Sequence, residues 1–352
     1  MIEKISLTNF TVFSRLDLVF SPKINIIIGE NGTGKTHLLK AVFALCSANN
    51  TLKKDADMSQ EEISRLLKER FVNTFMPLKN KIGSMLYFSS TENAQVKADF
   101  EHDKRIAFSF HENSKSLSIT ENKDYQNYVP EPVFIPTKEV LALMEGFVSL
   151  YNKFHLSFDI TYYDICSLLD LPFAREERLN DKTVWAINEI EKLVGGKFIF
   201  HGGGRVTFRT EDNEYSANVI AEGFRKAGML SRLLETGTIL PGESGPLLWD
   251  EPEGNMNPMI MKLIVEILLE LSRKGQQIIL ATHDYVLLKW FDLLMDKDKK
   301  DEVRFHTLFS DPVSDKVKLQ STEDYRQIDQ NSISETLSNL YDADINKSFG
   351  GL

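Results

Sequence analysis

An α/β fold with a central, mainly parallel sheet is what this chain predicts, and three stretches predict it. The apolar run Ile24-Asn25-Ile26-Ile27-Ile28 reads as a strand and passes at once into Gly29-Glu30-Asn31-Gly32-Thr33-Gly34-Lys35-Thr36. A helical pattern, Leu38-Leu39-Lys40-Ala41-Val42-Phe43, follows directly. Far downstream, Leu247-Leu248-Trp249 is a second buried-strand run, ending in Asp250-Glu251-Pro252. A helix predicted from Pro258 to Lys274, capped by Asn257 and ended by Gly275, separates it from a third strand at 277–281. Such strand–helix–strand units belong in parallel sheets with right-handed crossovers.

The remaining elements fill in around these. Ile5, Leu7 and Phe10, then Leu16, Leu18 and Phe20, mark two strands ahead of the glycine loop. Ser59-Gln60-Glu61-Glu62 is a capping box opening a packing helix with Ile63, Leu66, Leu67 and Phe71 on one face. Between 85 and 120 the period changes to two: Val96/Ala98/Phe100, Ile106/Phe108/Phe110 and Leu117/Ile119 predict an antiparallel meander. Val129-Pro130-Glu131-Pro132 leads to a short strand at 133–135, and Thr137 is placed to cap a mostly helical stretch reaching Gly195. Phe198-Ile199-Phe200 and Val206-Thr207-Phe208 flank a glycine turn as a hairpin, and Ala221-Glu222-Gly223-Phe224 opens another helix. The division expected is one domain over 1–352, with an antiparallel β-subdomain at 85–135 and an inserted helical lobe at 137–195.

The glycine stretch fits G-x-x-x-x-G-K-[ST], the pattern of a phosphate-binding loop. Its glycines let backbone N–H groups curl around an anion while the next helix presents its positive end. Gly29, Glu30, Asn31, Gly32, Thr33, Gly34, Lys35 and Thr36 are therefore the candidate nucleotide contacts. Lys35 reaches β- and γ-phosphate oxygens, and the Thr36 hydroxyl ligates a bridging Mg²⁺. An apolar strand ending in Asp-Glu supplies what phosphoryl transfer to water then needs. Asp250 is the second Mg²⁺ group, and Glu251 polarises the attacking water. His283 ends the following strand at the same sheet edge, where it can touch the γ-phosphate or that water.

Composition bounds the rest. The 352 residues are 42% hydrophobic, enough for a large core. No signal-like or long apolar segment is seen, and Cys46 and Cys166 sit among apolar neighbours, so a cytoplasmic, membrane-free protein is expected. A net charge of −10 excludes a surface that binds polyanions everywhere. Any nucleic-acid contact must be local, at Arg65/Lys68/Arg70, Lys79/Lys81 or Arg225/Lys226/Arg232.

Together these motifs resemble the ABC-type ATPase heads of the SMC, RecF and OLD-like group, and especially small stand-alone AAA family ATPases of bacterial genomes and defence islands. Gly29-x-Asn31-Gly32-x-Gly34-Lys35-Thr36 carries that group's extra Asn-Gly, and Leu7-Thr8-Asn9-Phe10 looks like its opening strand. Leu248-Trp249-Asp250-Glu251-Pro252-Glu253 looks like its second nucleotide motif, Asn255-Met256-Asn257-Pro258 like its D-loop, and Ala281-Thr282-His283-Asp284 like its switch histidine. The resemblance implies a P-loop ATPase head binding ATP and Mg²⁺, with two copies sandwiching two nucleotides and Gly223 contacting the partner's nucleotide. The chain departs from the group in three ways. Ile220-Ala221-Glu222-Gly223 lacks the signature serine, there is no coiled coil or Cys-x-x-Cys hinge, and only Gln95 and Gln126 offer a Mg²⁺-sensing glutamine.

Two other motifs fail on context. His201-Gly202-Gly203-Gly204 spells an esterase oxyanion loop, but Gly242-Glu243-Ser244-Gly245-Pro246 lacks the last glycine of a nucleophile elbow. Asp296-Lys297-Asp298 is one turn of a charge run rather than a nuclease metal pair. Three functions follow as expectations: a regulator in antiviral defence acting on a separately encoded nuclease or toxin effector, a RecF-like DNA-repair or chromosome-associated ATPase, or a nucleotide-sensing scaffold with little turnover.

Overall fold

Alternate residues of three strands feed two different hydrophobic cores, and this sets the layering of the molecule. The computed structural model describes residues 1–48, 58–88, 90–127, 130–154, 156–328 and 332–348. Val129 of the proline-punctuated segment lies outside them. β3 (Ile24–Gly29) sends Ile24, Ile26 and Ile28 into one core and Ile27 into the other. β11 (Leu247–Asp250) splits Leu247 and Trp249 from Leu248, and β12 (Ile278–Thr282) splits Ile278 and Leu280 from Ile279 and Ala281. Strands buried on both faces read as continuous apolar runs, which is why these three were visible in the sequence.

β1 (Ile2–Phe10) and β2 (Phe13–Val19) precede β3, and α1 (Lys35–Ala48) and α2 (Gln60–Phe75) follow it. Ser59 caps α2, its side chain accepting from the Glu62 N–H. β4 (Ala94–Phe100), β5 (Lys104–Phe110) and β6 (Ser118–Lys123) form the antiparallel meander, but the sheet extends beyond it: its order is β2-β1-β4-β5-β6. β7 (Val133–Ile135), at the end of the 85–135 stretch, pairs instead in parallel with β11. It departs because Val133, Phe134 and Ile135 are buried without polar alternation, a pattern suited to an α/β sheet.

The helical lobe holds α3 (Phe147–Phe154), α4 (Ile160–Leu169) and α5 (Asp181–Val194), the last two capped by Asp159 and Asn180. Thr137 caps no helix; its hydroxyl is engaged elsewhere, as described below. β8 (Lys197–Phe200), β9 (Val206–Arg209) and the unforeseen β10 (Glu214–Ser216) make a small antiparallel sheet. α6 (Glu222–Glu235) leads to β11, and α7 (Pro258–Arg273), capped by Asn257, to β12. After α8 (Tyr285–Leu294), β13 (Val303–Ser310) and β14 (Val317–Thr322) complete a six-stranded sheet of order β14-β13-β3-β12-β11-β7, in which only the β13–β14 pairing is antiparallel. α9 (Ser332–Ser348) ends the described chain. Among the described residues no helix is long and apolar enough to cross a membrane.

A buried polar network ties the sheet together at the opposite end from the glycine loop. Asn25 bonds both main-chain groups of Ser21, and His306 Nε2 lies 3.2 Å from Asn25 Oδ1 while Nδ1 lies 2.8 Å from Ser321 Oγ. The ring is fully buried, and burial, reinforced by the Arg304 charge, pushes its pKa from 6.5 down to about 3. Between those values the unfolded chain binds a proton that the folded one refuses, so stability falls as pH drops from 6.5 toward 3. The slope is at most about 1.4 kcal/mol per pH unit. Urea titrations across this range should show the His306→Gln variant with a flatter pH dependence than wild type; parallel curves would refute the assignment.

Candidate active site

The parallel register brings the ends of β3, β11 and β12 to one edge: Ile28 is level with Thr282, and Ala281 with Asp250. Whatever follows these strands must therefore converge, as expected where α/β sheets bind ligands. The glycine loop follows β3. Gly32 and Gly34 hold φ of 86° and 94°, the left-handed region that favours glycine. A Cβ on Gly34 would also lie 2.5 Å from Val12, because the β1–β2 hairpin packs directly on the loop. Thr33 Oγ1 donates to the Glu30 carbonyl at 2.9 Å, closing the loop on itself.

Lys35 is 6% exposed and donates to the carbonyls of Gly29 and Glu30 at 2.8 and 3.0 Å. Burial lowers its pKa, and the carboxylates of Glu251, Asp250 and Glu253 oppose that shift. Thr36 Oγ1 donates to Asp250 Oδ2 at 2.8 Å across 214 positions of sequence. Thr137 Oγ1 donates to the same oxygen at 3.1 Å. The position read as a helix cap thus stands beside the aspartate, and Gln95 lies on β4. Asp250 is 3% exposed, its Oδ1 is buried with no hydrogen-bond partner among the described residues, and burial raises its pKa against the two hydroxyl donors. An orphaned carboxylate oxygen flanked by two hydroxyls is an all-oxygen donor set that fits Mg²⁺.

Glu251 leaves β11 with φ of 50°, a left-handed conformation uncommon for a residue with a side chain, and its N–H still bonds the Ala281 carbonyl at 2.9 Å. That turn puts Glu251 Oε1 3.2 Å from His283 Nδ1. Glu253, which sequence reasoning passed over, is 7% exposed; its Oε1 accepts from Thr282 Oγ1 at 2.7 Å and from the His283 N–H at 3.2 Å. It fixes the strand end that carries His283. Gly223 is not in this hydrogen-bonded group. It packs on the turn after β11, where a Cβ would meet the Asn255 carbonyl at 3.0 Å and Met256 Cα at 3.1 Å.

The features set aside stay so. The Gly203 and Gly204 N–H groups are occupied by the Asp170 carboxylate, and Ser244 Oγ bonds Leu240 and Gln276. Asp296 caps the turn at Asp298. The Arg225/Lys226/Arg232 cluster is no basic face: Lys226 and Arg232 are buried, and Arg225 pairs with Glu139 at 2.7 Å. Sequence alone missed this because α6 is covered on nearly all sides.

A family model described as "AAA domain, putative AbiEii toxin, Type IV TA system" matches residues 24–289, a span running from β3 past His283 into α8. The chain belongs to this AAA family. Among curated proteins, the AAA chain is 28% identical over 101 residues to the DNA replication and repair protein RecF of Alkaliphilus oremlandii, covering 29% of this chain and 26% of that protein. It is 47% identical over 49 residues to RecF of Lysinibacillus sphaericus, covering 14% and 13%. It spans about a quarter or less of these relatives. Among solved structures, an Smc head bound to the C-winged helix domain of ScpA superposes with a TM-score of 0.58 at 13% identity, covering 92% of this chain and 98% of that one. The SMC head domain of Thermotoga maritima gives 0.51 at 13% identity, covering 92% and 99%. The AAA chain therefore has an SMC-head-like α/β fold.

Proposed function

We propose that this protein binds Mg·ATP and hydrolyses it as a single-domain ATPase head. The observation that carries the reading is the meeting of Thr36 and Thr137 on Asp250, whose second oxygen is orphaned, beside Lys35 and the Glu251–His283 pair. The loop amides from Gly29 to Thr36 cradle the phosphates, and Lys35 exchanges its contacts to Gly29 and Glu30 for phosphate oxygens. Thr36 and Asp250 hold the metal, with Thr137 orienting the carboxylate. Mg²⁺, when bound, neutralises charge on the β- and γ-phosphates. Glu251 takes the proton of the attacking water, and His283 holds Glu251 and monitors the γ-phosphate.

Two copies sandwich the nucleotides, with α6 of one head, beginning near Gly223, closing the other's site. Val219, just before α6, and Met259, in the first turn of α7, are 72% and 75% exposed and offer apolar surface to bury. Lys35→Ala should weaken Mg·ATP binding roughly 10- to 100-fold, the worth of charge-assisted hydrogen bonds lost. Wild type, but not this variant, should become dimeric with Mg·ATP in light scattering. Unchanged affinity would overturn the site assignment.

The family's toxin–antitoxin description favours a role in defence; in this reading the protein is a cytoplasmic regulator in antiviral defence that gates a separately encoded nuclease or toxin effector. The RecF likeness favours the second reading, a DNA-repair ATPase, and salt separates them: a repair ATPase binds duplex DNA with affinity falling steeply as salt rises. Absence of DNA binding at low salt favours defence.

A further inference from the structure

Lys226 is 1% exposed on α6, and among the described residues its ammonium has one hydrogen-bond acceptor, the main-chain carbonyl of Glu251 at 3.3 Å. Burying an ammonium on one contact is costly, and a methionine would fill the same space without that cost. Burial accordingly draws its pKa down, opposed by the carboxylates of Glu222, Glu253, Glu251 and Glu139. The carbonyl it meets belongs to the residue whose φ of 50° departs from ordinary backbone. The Gly254 N–H donates to that carbonyl as well, at 3.2 Å, so two donors fix one peptide. A Cβ on Gly254 would lie 2.8 Å from Lys226 Nζ, so a side chain there would displace the ammonium.

We propose that Lys226 is a positioning residue for Glu251, its ammonium pinning the Glu251 carbonyl so that the left-handed turn aims the carboxylate at His283. A backbone in a sparsely populated conformation persists only where its surroundings over-determine it, and Lys226 is the side chain that does so here. The inference rests on the ATPase reading above, because it assigns Lys226 to the hydrolytic step and not to nucleotide binding.

Two variants test it from different directions. Lys226→Met keeps the four-atom stem but removes the ammonium donor; Gly254→Ala keeps the lysine but pushes its ammonium off the carbonyl. Both should lower kcat roughly 10- to 100-fold, as small misplacements of a catalytic group do. KM and the Mg·ATP dissociation constant should stay within about threefold of wild type. In a Glu251→Gln background, Lys226→Met should add no further loss, since the two act through one carboxylate. Wild-type kcat in either folded variant overturns the inference, as does a loss of ATP affinity matching the loss of rate. Absence of turnover in wild type itself would instead defeat the ATPase reading, and this assignment with it.

Discussion

Glu251→Gln should lower single-turnover ATP hydrolysis by roughly 10²- to 10⁴-fold while leaving Mg·ATP binding intact, the range expected when a general base is removed. The substitution is nearly isosteric, so the turn after β11 and the contact to His283, 3.2 Å from Oε1, keep their shape. The binding groups are elsewhere: Lys35 on the glycine loop, and Thr36 and Thr137 on Asp250. What disappears is the oxygen able to take a proton from water. Hydrolysis is also what reopens the proposed sandwich, so the variant should hold the ATP-bound dimer longer than wild type does. Equal single-turnover rates would leave Glu251 without a catalytic role and favour a nucleotide-sensing scaffold.

The parts of this site legible in the sequence are those written in consecutive residues. The glycine loop, the Asp250-Glu251 pair and His283 each follow an apolar strand, and strand register alone brings their ends level. Thr137 was not legible. A threonine after Ile135-Pro136 has the look of a helix cap, and its partner Asp250 lies 113 positions away. Glu253 and Lys226 were hidden for a related reason: both are charged groups whose significance comes from burial, and neither periodicity nor motif spacing shows that a charge is enclosed. β13 escaped notice because His306 and Thr307, buried as completely as their apolar neighbours, interrupt the hydrophobic run. The partners of His306, Asn25 and Ser321, reach it only once the sheet has formed.

Arg232 shows how far such enclosure determines stability, and Arg232→Met should destabilise the protein by about 3–5 kcal/mol, the cost of removing one partner from a buried ionic group. The guanidinium is 4% exposed and lies 4.5 and 4.4 Å from the ring centres of Phe173 and Phe200. It donates to the carbonyls of Leu169 and Leu171 at 3.0 and 2.7 Å and pairs with Glu235 at 3.3 Å. Leu169 ends α4, so these bonds attach the end of a lobe helix to α6. Methionine would fill much of the volume yet leave two carbonyls without their donor. Glu235 keeps Lys197, 3.0 Å away, which limits the charge left uncompensated and places the main loss in the two backbone acceptors and the stacked rings. Urea titration measures the total, and amide exchange at residues 169–173 should speed up more than in the six-stranded sheet. A loss below about 1 kcal/mol would mean that the aromatic packing, and not the guanidinium, holds the lobe to α6.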